Sequence, residues 1–265
     1  MTTTGTRPTA RRAGFGGTVA AEWTKLWSVR STWWTLLAAV LVTAATAGQL
    51  AIYAANANTN DDPADDRGIV TVGSIVIGSM ELTQYAVLAL GLLVVTSEFT
   101  SGTIRTTLQC TPSRGRVLLA KAVVTAAVTF PFGLLLGGVG ALVAGPVLGE
   151  WGSAPVGGTL RDLLAVSAYL ALVGVLALGL GAALRSAVLS LIVLVATLMI
   201  VPLSLQEPDI TLLNRIADGF PGVAGGHFMA GDTEPYRAAW GLLLLAGWAV
   251  AALVLGRAAL RRRDA

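Results

Sequence analysis

Charge is scarce in this chain. Only 12% of its 265 residues are Asp, Glu, Lys or Arg, roughly half the share that a soluble domain carries. Cysteine is nearly absent: Cys110 stands alone, which excludes an intrachain disulfide and a cysteine-cluster metal site. Histidine is equally rare, and His227 alone gives no ground for a zinc site; it reads as a structural or exposed loop residue. Lysine occurs only at Lys25 and Lys121, beside sixteen arginines. No G-x-x-x-x-G-K-[ST] occurs, so the chain has no P-loop for ATP. No H-E-x-x-H occurs either, and serine, histidine and acid residues are too dispersed for a catalytic triad. The sequence therefore offers no enzyme site and no cofactor site of its own. The net charge of +3 is small and sits in loops, so nucleic acid is not an expected partner.

What is present is apolar length. Hydrophobic residues make up 54% of the chain, and the mean hydropathy is +0.72. The expected class is an all-α integral membrane protein whose partner is the lipid bilayer. Residues 1–14, rich in Thr, Arg, Gly and Pro, read as a disordered basic N-terminus. A cleaved signal peptide is not expected, because the first apolar run is too long and no small-x-small site follows it. Over residues 15–32, Val19, Trp23, Leu26 and Trp27 recur at helical spacing with Glu22, Lys25, Ser28 and Arg30 between them. That pattern predicts an amphipathic helix lying in the headgroup region.

Residues 33–260 read as a six-helix transmembrane domain. Its runs are 33–54, 72–96, 117–143, 163–184, 187–205 and 238–260. Each approaches the about 20 residues needed to cross ~30 Å of hydrocarbon at ~1.5 Å per residue. Only a tight turn at Arg185 and Ser186 divides the fourth from the fifth. Lipid offers no partners for backbone groups, so the spans must be helices. Glycines such as Gly133, Gly137, Gly174, Gly179 and Gly181 predict close helix packing within one subunit.

Loop charges orient these spans. With both termini in the cytoplasm, only Arg67, Arg161, Arg215 and Arg237 of the 18 lysines and arginines fall outside. The acidic group Asp61, Asp62, Asp65 and Asp66 falls outside with them. Residues 261–265 then form a basic cytoplasmic tail. Inside the spans, Glu81 is the clear ionisable residue, with Gln84 one turn on. An ion-coupled transporter usually carries several such groups at mid-membrane. Their shortage means that any transport here draws its energy from another chain, and it makes Glu81 and Gln84 the candidates for a substrate path.

The longest polar interruption on the inner side is "SEFTSGTIRTTLQCTPSRGRVLLAK", from Ser97 to Lys121. Gly102 permits a sharp exit from the second span, Thr103–Leu108 can form a short helix, and Pro112 stops it. Ile104 and Leu108 give that helix an apolar side with no lipid beside it, rimmed by Arg105 and Arg114. Such a segment suits a groove on a soluble partner.

At this point the chain resembles the permease subunits of ABC-2 type transporters. "AEWTKLWSVRSTWW", Ala21 to Trp34, is similar to their N-terminal Glu-x-x-Lys helix, with Glu22 and Lys25 at the matching places and Trp23 and Trp27 beside them. The stretch from Ser97 to Lys121 is similar to their first cytoplasmic loop, through Glu98, Gly102, Thr103, Pro112, Arg114 and Lys121. Six spans with both termini inside match as topology. The resemblance implies a second permease subunit, in a homo- or heterodimer, and a separate ABC ATPase subunit that holds ATP and Mg. It implies an exporter in the plasma membrane of a bacterium. The loop would be its coupling segment, with Glu98, Gly102, Thr103, Ile104, Arg105, Leu108, Pro112 and Arg114 meeting the ATPase. Two other readings stay open on the residues alone: a non-transporting membrane scaffold or immunity protein that binds a partner, and an intramembrane enzyme or secondary transporter built on Glu81 and His227. No residue pattern names a substrate.

Overall fold

A computed structural model describes residues 14–60, 63–103 and 114–262. Nine helices are used below. They are α1 (Phe15–Ser28), α2 (Arg30–Ala57), α3 (Val72–Thr100), α4 (Arg114–Leu148), α5 (Val156–Leu184), α6 (Ala187–Gln206), α7 (Thr211–Ala217), α8 (Pro221–Ala230) and α9 (Ala238–Arg262). Six of them, α2 to α6 and α9, are long and apolar enough to cross a membrane. Each expected span lies inside one of these helices. Several helices overrun their apolar runs by a turn or more, because backbone hydrogen bonding continues after the hydrophobic stretch ends. The outer surface is apolar too: Leu41, Leu142, Val188 and Val254 are each at least 60% exposed. A surface of that kind belongs in lipid, and the chain is a multi-pass helical membrane protein.

One boundary differs from the sequence reading. The amphipathic helix ends at Ser28, not residue 32, and Val29 is extended (φ −95°, ψ 124°). The apolar period runs on through Trp33, so it carries no stop signal. The break is held instead by Thr32, whose hydroxyl donates to the Leu26 carbonyl (2.7 Å) and whose amide donates to that of Val29 (3.1 Å).

α5 is the central helix. Its Val166, Leu170, Val173, Leu176, Ala177 and Leu178 are buried, and it packs on α3, α4 and α9. Glycine makes this closeness possible. A Cβ on Gly91 of α3 would stand 2.4 Å from the Gly174 carbonyl oxygen of α5, and one on Gly179 would stand 2.6 Å from the Ala252 backbone of α9. Main chains this near need no side chain between them. The turn between α5 and α6 is as short as expected. Arg185 sits in the left-handed region (φ 57°), and the Ser186 hydroxyl caps α6 by accepting from the Leu189 amide at 3.3 Å.

The ends of the bundle differ. At one end, called here the basic end, α1 lies beside the end of α3 and the start of α4, and the C-terminus of α9 meets the start of α4 and the turn after α5. There Arg185 and Arg114 donate to the Ala259 and Leu260 carbonyls. Cations are favourable beside those last carbonyls of α9, where the helix dipole is negative. At the opposite end, two-residue strands at Val70–Thr71 and Gly152–Ser153 pair in parallel and join two connections. The segment from Gln206 to Arg237, between the fifth and sixth expected spans, holds α7 and α8. α8 folds back on the bundle against α9 and α5 and ends at Gly231 (φ 78°).

Candidate functional site

The basic end contains an ion cluster whose Glu22, Glu98 and Lys121 are buried and whose Lys25 is half-exposed. α1 presents Glu22 and Lys25, α3 presents Glu98 and α4 presents Lys121. Lys121 is 2% exposed and uses all three ammonium protons: to Glu22 Oε2 (2.6 Å), Glu98 Oε1 (2.9 Å) and the Val94 carbonyl (3.2 Å). Lys25 reaches Glu98 Oε1 (2.6 Å) and Glu22 Oε1 (3.1 Å). Burial works to lower the Lys25 pKa, but the Glu98 and Glu22 carboxylates outweigh it and hold it above the ordinary lysine value. The cluster contains both lysines of the chain and is neutral as a whole. Neutrality matters, because each isolated ion would cost several kcal/mol to desolvate. Leu26 fixes the approach of α1 by packing with Leu90 of α3 and with Val124 and Val128 of α4.

The orientation of α1 departs from the usual soluble pattern. Its inward face is Thr18, Glu22 and Leu26, while Trp23 is 43% exposed. Trp23, Trp27 and Trp33 touch one another along the outer side, with ring centroids 5.8 and 5.1 Å apart. Glu22 and Lys25 of this helix thus reach the bundle, where their partners are.

The expected partner-contact residues divide three ways. Gly102 and Thr103 are exposed, and Gly102 has the positive φ (72°) that the sharp exit from α3 needs. Ile104, Arg105, Leu108 and Pro112 lie outside the described residues. Glu98 is 6% exposed, and its carboxylate is turned into the chain's own cluster. Arg114 donates to Leu260 of α9. The structure also brings in Lys121, which the resemblance matched as the entry to the third span but did not assign to contact.

Toward the opposite end, a groove of about 520 Å³ opens between α3, α6 and α8. Both substrate-path residues line it. Glu81 is exposed there and, among the described residues, makes no ion pair and no side-chain hydrogen bond. Gln84 is held on both sides of its amide: it accepts from the buried Tyr169 hydroxyl and donates to the Glu81 carbonyl (2.9 Å). Opposite stands a π turn in α6, Ala196–Ile200. There the Val201 amide reaches back to the Ala196 carbonyl, and Leu198 and Met199 are set into the groove wall. Such turns recur at functional sites. The signal for it in the sequence is Pro202, inside the run from Ala187 to Leu205: it has no N–H to give the Leu198 carbonyl and its ring crowds that carbonyl, so the helix cannot keep its regular hydrogen bonding there.

His227 of α8 also lines the groove, between Asp218 (3.8 Å) and Asp232 (3.6 Å), with the Tyr236 ring at 5.3 Å. Tyr236 donates to the Asp218 carbonyl (2.5 Å), and burial, with the Asp218 charge, pushes its pKa up to about 12. No group of three or more His, Cys, Asp or Glu suited to a metal ion occurs among the described residues. No family model matches the chain, and no curated protein matches it.

Proposed function

We propose that this chain is the permease subunit of an ATP-driven ABC transporter of the ABC-2 type, an exporter, with both termini cytoplasmic in a bacterial plasma membrane. It pairs with a second permease subunit and rests on a separate ATPase subunit, which holds ATP and Mg. The observation that carries this reading is the ion cluster. Glu22 and Lys25 come from one stretch of the resemblance, and Glu98 and Lys121 come from the other. They meet across 73 to 99 residues of chain. Their meeting point is the root of the connection from Ser101 to Arg114. A push on that connection from a soluble partner reaches α3, α4 and α1 together, because the cluster clamps all three.

The test uses the connection itself. Ile104→Asp and Leu108→Asp each set a charge on the side expected against the ATPase subunit. An unpaired charge buried in an interface costs several kcal/mol, and about 1.4 kcal/mol is a tenfold change in affinity. Both variants should insert normally, lose the co-purifying ATPase by a factor of a hundred or more, and lose transport. Arg105→Ala should be milder, since a rim charge contributes little. Aspartate variants that keep both partner and transport would reduce the connection to a solvated turn and remove the reading.

A further inference from the structure

The groove beside Glu81 has a chemistry of its own. Glu81 lies nine residues into α3, which is ~14 Å along the helix at ~1.5 Å per residue. Within a membrane-spanning helix a carboxylate is costly and marks a site by default. Among the described residues it has no counter-ion, and no lysine or arginine lines the groove. A second carboxylate, Asp232, does line it. The walls are apolar and adaptable. Of the chain's 4 methionines, all but Met1 are here: Met80, Met199 and Met229. Thioether side chains fill irregular space and suit surfaces that accept varied shapes. Tyr85 adds a ring whose hydroxyl contacts Met199 Sδ at 3.3 Å. The volume of about 520 Å³ is that of an ordinary small-molecule site.

We infer that this groove binds an amphipathic organic cation, with the positive centre at Glu81 and the apolar body against Met199 and Tyr85. The ligand supplies the missing counter-charge, and Asp232, beside His227 in the same groove, adds negative charge. As a substrate class the assignment rests on the transport reading above. As a binding site it is a property of this chain alone.

The experiment is equilibrium dialysis of radiolabelled tetraphenylphosphonium against the purified full chain in nanodiscs, with no ATPase present. Saturable binding is expected, with Glu81→Gln weakening it at least tenfold and Asp232→Asn two- to threefold. Tetraphenylborate, an anion of the same shape, should not compete. Met199→Lys places a cation in the groove on a half-exposed position and should abolish binding, while size exclusion and circular dichroism report an intact fold. Three results would each overturn the proposal: Glu81→Gln binding as tightly as wild type, tetraphenylborate competing equally, or no saturable binding to wild type because lipid or a second copy fills the groove. The transport reading is decided separately, by ATPase co-purification with the connection variants. Either can fail while the other stands.

Discussion

Lys121 has the most demanding environment in the chain. An ammonium with almost no exposure is tolerable only because each of its protons has an acceptor, and two of those acceptors are carboxylates. Removing one ion from such a set strands the others. Lys121→Met should therefore cost about 3–5 kcal/mol, read as a large drop in the thermal midpoint of the detergent-purified protein. Adding Glu98→Gln to it should recover much of that loss, because the surplus negative charge goes with it. Equal midpoints for the single and double variants would show that Lys121 matters for its bulk rather than its charge. Glu22 and Lys25 were legible as a helix-borne pair, but nothing in their spacing says that Glu22 faces inward. A helical period separates two faces without saying which one the bundle takes. In α1 the bundle takes the acid, because Glu98 and Lys121 wait there.

At the scale of the elements, α5 shows how small residues convert apolar helices into a fixed bundle. Between helices in lipid there is little hydrophobic drive, so packing and close backbone approach carry association. At Gly179 α5 and α9 lie close, and the nearest atoms a side chain would meet are main-chain atoms that cannot swing aside. Gly179→Val is expected to destabilise by ~1–3 kcal/mol or more through overpacking. Gly247 of α9, which has no atom within 4 Å of an added Cβ, should accept alanine with no loss of thermal midpoint. Similar losses at the two positions, followed by fluorescence-detected size exclusion on heating, would contradict the close α5–α9 contact. The glycines were legible as packing residues, but their partners were not. The two atoms facing Gly91 and Gly179 lie far along the chain, and only the assembled bundle selects them.

For the molecule as a whole, the two ends carry different chemistry, and the positive-inside rule turns that difference into an orientation. Single cysteines in a Cys110→Ser background test it. Cysteines at Asp62, Glu150 and Asp232 should react with an impermeant thiol reagent on intact cells. Those at Ser113 and Arg262 should react only after lysis. The opposite pattern would invert the molecule, put the Ser101–Arg114 connection outside, and with it end the ATPase reading.

The six spans, the turn at Arg185 and Ser186, and the sharp exit at Gly102 could all be read from residues in a row. Their causes are local: apolar length, the need of backbone groups in lipid for internal partners, and the conformations that a turn demands. The ion cluster, the inward face of α1, the helices in the Gln206–Arg237 segment and the π turn that shapes the groove could not be read this way. The first three depend on contacts between residues far apart in the chain; Pro202 marks the place of the π turn, but a proline does not say whether a helix breaks, kinks or widens around it. Glu81 stands between the two cases. Its isolation among apolar residues already marked it as a site, but only the packing of α6 and α8 against α3 made a groove beside it.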